Sequence, residues 1–407
     1  MTRWQRAIVL GGIAAVAVTF SRDAFDRFRF PKALIYQGEA ILIVAVALAA
    51  LILGAPLPRL TTWRLPLAAF GVMAVLTLTS TKPALSASAL AAGAATLVVF
   101  LATVAVARDR RWILLGVPLA AAAGNALLVL IEEANLWMPF GTTDEISHHL
   151  QCTALVGNPN EVGGYLGAAA LACLALLAER RWLRWSAAAM LVIGAGLVAS
   201  RTLTAMVAFA AAALAMSAIA SWKNALRALA VVVVAGLLVV ALVAPLRRRA
   251  MDTAHWLKSG EYNSVLTERL TPFIAAWTMF TDHPLTGVGP GAFAWHYYDY
   301  KIRAEQRLPS LRLAYHRGSN AGEAHNDHLQ VLAEGGILGY AAFAAVIGAL
   351  ASLSFTAPKT ATFARRLALP LAAYWAVLSL AQFPLETTVV RSLLVHFAAL
   401  CAAWSER

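Results

Sequence analysis

Residues 225–244 read Ala-Leu-Arg-Ala-Leu-Ala-Val-Val-Val-Val-Ala-Gly-Leu-Leu-Val-Val-Ala-Leu-Val-Ala, an apolar run long enough to cross a bilayer core as a helix. In the whole 407-residue chain 60% of residues are apolar and 13% are charged, and the mean hydropathy is +0.69. An ordinary soluble domain has about a quarter charged residues, so that class is excluded. Similar runs are predicted at 7–20, 34–54, 65–80, 84–107, 112–131, 162–178, 183–199, 203–220, 225–244, 327–355, 366–383 and 389–404. The sequence therefore predicts an all-α polytopic membrane protein, with about twelve transmembrane helices in a single membrane domain, 1–407.

Lysine and arginine residues set the predicted orientation of these helices. They are more frequent in the short connections on the side of both termini, and cytoplasmic loops carry such an excess. We therefore expect both termini in the cytoplasm. Arg22, Arg27, Arg29 and Lys32 form one cluster on the opposite side, against this rule. Because the basic residues follow topology, the net charge of +12 does not indicate nucleic acid as a partner.

One long polar segment, residues 245–326, is inserted between the ninth and the tenth predicted span. Leu266, Phe273 and Trp277 fall on one face of a predicted helix over 266–280. A turn rich in glycine and proline follows at 283–293. We expect the segment to form helices that lie at the membrane surface opposite the termini.

Two ionisable residues fall within predicted spans, where a charge is costly and is commonly functional. Glu39 lies in the second span and Arg201 at the start of the eighth. The alternative interpretation of Glu39 is a carboxylate partnered inside the helix bundle. For Arg201 the alternatives are a side chain that reaches the membrane surface and a side chain that binds an anion.

Four stretches carry a resemblance to a known family. They are Val-Gly-Asn-Pro-Asn-Glu-Val-Gly-Gly-Tyr-Leu at 156–166, Ala-Ser-Arg-Thr-Leu-Thr at 199–204, Glu-Arg-Leu at 268–270 with the 283–293 turn, and Ala-His-Asn-Asp-His-Leu-Gln-Val-Leu-Ala-Glu-Gly-Gly-Ile-Leu-Gly at 324–339. Together they resemble the bacterial lipopolysaccharide O-antigen ligase family, which is related to the O-antigen polymerases and the protein O-oligosaccharyltransferases. The resemblance runs from about 150 to 340.

The resemblance implies a GT-C type glycosyltransferase of the bacterial inner membrane with a periplasmic active site. Such an enzyme transfers a glycan, with inversion, from undecaprenyl diphosphate to a sugar hydroxyl of lipid A-core. It uses neither metal nor cofactor, and its partners are the lipid-linked glycan, the lipid A-core acceptor and membrane lipids. On this interpretation residues 245–326 form a large periplasmic segment.

Three residues within the family-like stretches suit this chemistry. An imidazole titrates near neutral pH and can take a proton from the acceptor, which assigns His325 as the general base. The arginine fork binds phosphate oxygens bidentately and keeps its charge. Arg201 and Arg269 are therefore assigned to the departing diphosphate.

Other residues near these stretches are candidates for substrate binding. They are Asn158, Asn160 and Glu161 before the sixth span, the triplet Arg247, Arg248 and Arg249, and Asn326 and His328 beside the proposed base. Each has a structural alternative. Asn-Pro-Asn is typical of a turn and a helix start, the arginine triplet of a membrane-surface anchor, and His328 of helix packing. Asn326 and Asp327 suit the start of the tenth span as capping groups.

A metal site is not predicted. Asp144, Glu145, His148 and His149 form an acidic loop, and adjacent histidines cannot both reach one ion from a helix. The three cysteines, Cys152, Cys173 and Cys401, lack the spacing of a thiolate site or a disulfide framework.

Alternative functions remain open at this point. An O-antigen polymerase or a protein O-oligosaccharyltransferase would share the donor and differ in the acceptor. A secondary transporter or flippase would share the number of spans, but such proteins have repeated halves. Here the second half contains the long insertion and most of the motif residues, so the transporter interpretation is the weaker one.

Overall fold

The computed structural model describes residues 3–54, 64–108, 111–137, 152–308, 311 and 321–405. In these ranges every regular element is a helix. They are α1 (Arg3–Val18), α2 (Arg29–Ile52), α3 (Arg64–Leu78), α4 (Pro83–Ala107), α5 (Arg111–Glu133), α6 (Pro159–Ala178), α7 (Leu183–Ala199), α8 (Leu203–Ala220), α9 (Trp222–Leu242), α10 (Ala244–Ser259), α11 (Tyr262–Val265), α12 (Leu270–Asp282), α13 (Phe293–Arg307), α14 (Asp327–Thr356), α15 (Thr362–Leu378) and α16 (Thr388–Ser405).

The helices that match the predicted spans are α1 to α9 and α14 to α16. Among the described residues, eight helices are long and apolar enough to cross a bilayer, and three shorter apolar helices accompany them. The prediction of an all-helical, multi-pass membrane protein is therefore confirmed. That all twelve helices cross the membrane stays a prediction.

Two predicted helix boundaries were wrong. The run 366–383 ends as a helix at Leu378, because the carbonyls of Ser379 and Gln382 in the following loop accept hydrogen bonds from the Asp327 backbone N–H instead. The helix predicted over 266–280 begins at Leu270. Thr267 and Glu268 before it have φ values of 56° and 62°, and a left-handed backbone does not continue an α-helix.

The bundle has a buried centre and a lipid-facing edge. Helices α6 and α16 each have 83% of their most apolar stretch buried, whereas the corresponding stretch of α9 is not buried at all. Helix α6 contacts α5, α7, α8, α15 and α16. Valine and leucine side chains of α9, such as Val231 and Leu237, point outward, as expected where the surrounding solvent is lipid. Helices α6 and α16 are thus the central elements of the bundle.

Helix α14 is interrupted at Gly336, whose φ of 56° and ψ of −157° suit only glycine. The loop 284–289 supplies backbone partners at the break. Val288 and Gly289 donate to the carbonyls of Ala333 and Glu334, and Ile337 and Leu338 donate to the carbonyls of Pro284 and Leu285. The glycine-rich turn predicted from the sequence therefore anchors the segment between α9 and α14 to a membrane helix.

Candidate active site

Helix α6 begins with the Asn-Pro-Asn-Glu stretch. The Asn158 side chain caps the helix by accepting a hydrogen bond from the Asn160 backbone N–H at 2.8 Å. Pro159 follows at the first helical position, where its missing N–H is not needed. Glu161 lies in the first turn and is only 5% exposed. The dipole of α6 favours a negative charge at this end, which stabilises the buried carboxylate.

Arg29, the first residue of α2, connects two carboxylates. Its Nε lies 2.7 Å from Glu161 Oε1, and one of its terminal nitrogens lies 2.7 Å from Glu323 Oε1. The α2 start is fixed in turn by Asp26, whose Oδ1 accepts from the Arg29 backbone N–H. Arg29 therefore ties α2, α6 and the loop before α14 together at one end of the bundle.

Phe383 packs against both Arg29 and the proposed base. The Arg29 guanidinium carbon is 5.1 Å from the centre of the Phe383 ring, and the His325 ring is 4.8 Å from it at an interplanar angle of 74°. A cation over an aromatic face is attracted by the ring quadrupole. The loop between α15 and α16, which carries Phe383, thus completes the wall of the site.

The backbone of His325 is held in the left-handed region, with φ at 54°. The residues beside it are anchored. The Ala324 N–H donates to Gln330 Oε1 at 2.9 Å, and the Asn326 amide donates to the Leu380 carbonyl at 2.8 Å. A left-handed conformation of a non-glycine residue costs free energy and persists where its surroundings fix it. The contacts of Ala324 and Asn326 therefore hold the backbone of His325 from both sides.

The His325 imidazole is half-buried. Its Nδ1 is buried and has no hydrogen-bond partner among the described residues. Burial and the positive charges of Arg269 and Arg29 lower the pKa of His325 to about 4. The ring is consequently neutral at pH 7 in the protein without substrate, which is the form that accepts a proton.

Arg269 lies beside His325 and close to a second arginine. One of its terminal nitrogens donates to the Ala381 carbonyl at 2.6 Å. Burial and the neighbouring Arg249 lower the pKa of Arg269. Arg249 is fixed by the Thr267 hydroxyl at 3.1 Å and stacks over Trp256, with 4.9 Å between its guanidinium carbon and the ring centre. These two guanidinium groups form the cationic side of the site.

The rest of the arginine triplet points elsewhere. Arg247 and Arg248 are exposed, and Arg247 donates to the Ala241 carbonyl at 2.9 Å. Both belong to α10, which follows directly on α9. Of the triplet, the structure thus brings Arg249 towards Arg269, whereas Arg247 and Arg248 are available to headgroups at the surface.

Arg201 occupies the turn between α7 and α8 with φ at 55°. Its guanidinium forms an ion pair with Glu133 at the end of α5. The next residue, Thr202, donates to the Pro159 carbonyl at 2.8 Å, so the turn packs against the start of α6. Arg201 therefore lies at the same end of the bundle as His325, on the α5 and α7 side of α6.

The residues after His325 have structural partners. Asn326 caps α14 by accepting from the Leu329 N–H at 3.0 Å. One Asp327 carboxylate oxygen accepts from the Leu385 N–H and from the Ser379 hydroxyl. His328 Nε2 lies 2.9 Å from the Ala376 carbonyl, and its Nδ1 lies 3.2 Å from the Tyr340 hydroxyl. These contacts fix α14 to α15 and to the loop that carries Phe383.

An elongated cavity of about 680 Å³ runs beside α14 between α3, α4 and α16. Its walls are mainly apolar, with Leu76, Phe100 and Val346 as examples. Its polar residues include Asp327, Gln330, Glu334, Glu386 and Arg391. Because Asp327 stands two residues after His325, the cavity begins next to the site and extends along the membrane helices.

Glu39 lies apart from this cluster. It is ten residues after Arg29 on α2, which corresponds to about 15 Å along a helix. Its carboxylate is 5% exposed and fills the space beside Gly12 of α1, where an added Cβ would meet it at 2.1 Å. One of its oxygens has no hydrogen-bond partner among the described residues. The structure thus places Glu39 at the contact between α1 and α2.

Among the residues that the structure describes, no group of three or more histidine, cysteine or carboxylate side chains is arranged to hold a metal ion. Asp144, Glu145, His148 and His149 lie outside the described residues. Cys152, Cys173 and Cys401 are buried free thiols.

Arg29, Glu323 and Phe383 were missed in the sequence. One signal for Arg29 was present, because Arg29 and Lys32 belong to the basic cluster that goes against the charge rule. Both side chains are used inside the protein, and the Lys32 ammonium donates to the Leu155 carbonyl at 2.7 Å. Phe383 gave no signal, because it falls in a stretch that reads as a continuous apolar span.

Fold and site together define a multi-pass membrane protein with an imidazole and several arginines gathered at one end of its bundle. Residues 188–344 match the family model described as O-Antigen ligase. This stretch contains Arg201, Arg269 and His325, and it confirms the resemblance to the O-antigen ligase family, whose members are glycosyltransferase-like enzymes. No curated protein shows a significant match to the chain.

Proposed function

We propose that this protein is an O-antigen ligase of the bacterial inner membrane. It transfers a glycan from undecaprenyl diphosphate to a sugar hydroxyl of lipid A-core on the periplasmic face, with both termini in the cytoplasm. The observation that carries the proposal is the His325 imidazole packed against Phe383 together with Arg29, with Arg269 nearby, within a stretch that matches the O-antigen ligase model. The reaction is an inverting displacement at the anomeric carbon of a GT-C type enzyme.

His325 acts as the general base in this proposal. The acceptor hydroxyl gives its proton to the imidazole while its oxygen forms a bond to the anomeric carbon. The bond from that carbon to the diphosphate oxygen breaks, and undecaprenyl diphosphate leaves. A base with a pKa of about 4 is weak. Burial and the charges of Arg269 and Arg29 lower this pKa, and a bound diphosphate offsets the part that is due to the two arginines. Donor binding thus makes the imidazole more basic when the acceptor arrives.

The arginines stabilise the departing diphosphate. Fixed cations in a site with little water stabilise developing phosphate charge without an ion being recruited from solution. Arg269, with Arg249 close to it, supplies this charge on one side of His325. Arg201 supplies it from the turn beside the start of α6. The exposed Asn158 and Asn160 at the start of α6 are proposed to contact the sugar or the phosphate, and the buried Glu161 acts on the site through its pair with Arg29.

The surroundings suit two lipid-linked substrates. The apolar cavity beside α14 has room for a hydrocarbon chain and begins close to the site. The exposed Arg247 and Arg248 of α10 can attract the phosphate groups of membrane lipids and of lipid A-core, because a basic helix at a membrane surface binds anionic headgroups. The described residues of the segment 245–326 are thus proposed to cover the place where donor and acceptor meet.

The test is glycan transfer by the purified protein. Undecaprenyl-diphosphate glycan and lipid A-core are supplied without nucleotide and with EDTA present, and the product is read from the increased mass of the lipid A-core. The proposal predicts transfer that EDTA does not reduce. An activity that collapses with chelator and returns with Mg²⁺ would contradict the role of the arginines.

The same assay separates the alternatives. If the growing glycan accepts and lipid A-core does not, the protein is an O-antigen polymerase. If a protein accepts, it is a protein O-oligosaccharyltransferase. Movement of the donor across a vesicle membrane with no transfer to any of these acceptors would indicate a flippase.

A further inference from the structure

We propose that Arg29 is a positioning residue, which holds the loop 321–326 and the His325 imidazole against Phe383 and the start of α6. The inference rests on the proposed function in that it assigns the held imidazole to glycan transfer. Arg29 lies outside the stretch that matches the family model, in the part of the chain where the sequence shows no motif.

The first argument is the geometry of the bridge. Arg29 pairs through Nε with Glu161 of α6, and through a terminal nitrogen with Glu323 of the loop, each at 2.7 Å. Glu161 is nearly buried and Glu323 is two residues before His325. A guanidinium can hold two carboxylates at once in a fixed plane, which a lysine ammonium does less rigidly. The bridge therefore fixes the distance between the loop and α6.

The second argument is the conformation that the bridge supports. His325 has a left-handed backbone, which needs anchors on both sides. On the far side, Asn326 is bound to the Leu380 carbonyl and caps α14. On the near side, Glu323 is bound to Arg29. Arg29 and His325 also pack against the same ring, that of Phe383. Loss of Arg29 would remove both the bond that holds Glu323 and the cation that packs against the Phe383 ring.

Charge gives the proposal a readout that a purely structural role would not change. The titratable groups around the loop and its bridge are Asp26 before α2, Arg29 and Lys32 of α2, Glu161 of α6, Arg269 before α12, Glu323 on the loop, Asp327 of α14, Glu386 between α15 and α16, and Arg391 of α16. Of these, Arg269 and Arg29 are the cations that lower the pKa of His325. Removing the positive charge of Arg29 therefore raises this pKa, whereas removing the negative charge of Glu323 does not.

The experiment compares Arg29→Gln, Arg29→Lys and Glu323→Gln with the control Arg366→Gln. Arg366 of α15 pairs with Glu179 at the other end of α6, so the control removes an arginine that pairs with a carboxylate of the same helix α6, far from His325. Two quantities are measured: transfer kinetics of the purified protein, and the pH at which His325 reacts at half its maximal rate with diethyl pyrocarbonate. This reagent modifies neutral imidazole, and mass spectrometry identifies the His325 peptide without any substrate.

We expect Arg29→Gln to lower kcat about 10-fold to 100-fold, because misplacement of a catalytic group by about an ångström has effects of this size. The half-reaction pH of His325 should rise by on the order of one unit. Glu323→Gln should also lower kcat without raising the half-reaction pH. Arg29→Lys keeps the charge, so its half-reaction pH should equal that of the wild type while kcat falls less. If Arg29→Gln does not fold, the other two variants carry the test.

The proposal is overturned if the Arg29 and Glu323 variants match Arg366→Gln in both measurements. It is also overturned if Arg29→Gln raises KM for the donor with kcat and the half-reaction pH unchanged, because Arg29 would then bind substrate. A wild-type protein that transfers no glycan would contradict the proposed function and not this inference, since the modification of His325 is measured without substrate.

Discussion

Helix α6 has a carboxylate–arginine pair at each end, and the two pairs differ in what they hold. At its start Glu161 pairs with Arg29, and at its end Glu179 pairs with Arg366 at 2.6 Å. A carboxylate is favoured by the helix dipole at the start and disfavoured at the end. Glu179 therefore needs its arginine to offset the dipole. Glu161 needs its arginine less for this purpose, and Arg29 uses a second nitrogen to bind Glu323.

The side chains around the two carboxylate–arginine pairs also differ. Near the Glu179 end, aromatic rings pack against one another, and Arg181 stacks over Trp112 at 3.9 Å. At the Glu161 end, Arg29 and the His325 imidazole pack against the same ring, that of Phe383. One end of α6 is thus closed by aromatic packing, and the other brings an imidazole next to the arginine pair. The comparison indicates which end does chemistry.

Among substitutions of the arginines at the two ends of α6, the largest expected loss comes from those at the His325 end. Arg201→Ala and Arg269→Ala should each lower kcat by about 10² to 10³, the effect of losing one fixed group that stabilises developing charge. Lysine at either position should restore part of the activity, since it keeps the charge and loses the bidentate fork. Transfer by the purified variants is the measurement. Arg366→Ala, at the packed end, should transfer at the wild-type rate.

If both alanine variants transfer as fast as the wild type, the assignment of these arginines to the diphosphate is wrong. If Arg366→Ala loses as much activity as they do, the two ends of α6 are not functionally different and the comparison fails.

A smaller effect is expected at the break in α14. In Gly336→Ala the added Cβ would lie 2.4 Å from the Leu285 carbonyl carbon, and the backbone conformation is one that suits only glycine. The cost is about 1–3 kcal/mol for the backbone alone, so the midpoint of thermal unfolding in detergent should fall. Gly348→Ala is the control, because it has open space around it within the same helix. An unchanged midpoint for Gly336→Ala would show that the loop 284–289 does not anchor this helix.

Much of the fold was predictable and part of the site was not, for a physical reason. Hydrophobic runs mark membrane helices directly, so the helices were found with small errors at their ends. His325 and Arg269 were found because they stand within short stretches that resemble a family. Arg29 and Phe383 come next to His325 only when the start of α2, the start of α6 and the loop between α15 and α16 meet at the loop before α14. Long-range contacts of this kind leave no local pattern, apart from the misplaced positive charge at Arg29.

The smallest change to the protein comes from two single cysteine substitutions. They test which side of the membrane each end of the helix bundle faces. Ser259→Cys in α10 and Asn224→Cys in α9, each in a protein lacking the three native cysteines, remove one exposed polar side chain apiece. A membrane-impermeant thiol reagent is applied to cells with a permeabilised outer membrane. Cysteine at 259 should be labelled in intact cells, and cysteine at 224 only after the inner membrane is broken. The opposite pattern would invert the topology and contradict the ligase proposal.

The central claim is that the His325 end of α6 performs glycan transfer, and its most direct test is the His325→Ala protein. Turnover and the midpoint of thermal unfolding are measured on the same purified sample, beside the wild type. Loss of a general base lowers turnover by about 10² to 10⁴, and we expect a loss of this size with an unfolding midpoint close to that of the wild type. A folded His325→Ala protein that transfers glycan at nearly the wild-type rate would remove His325 from the mechanism and contradict the account.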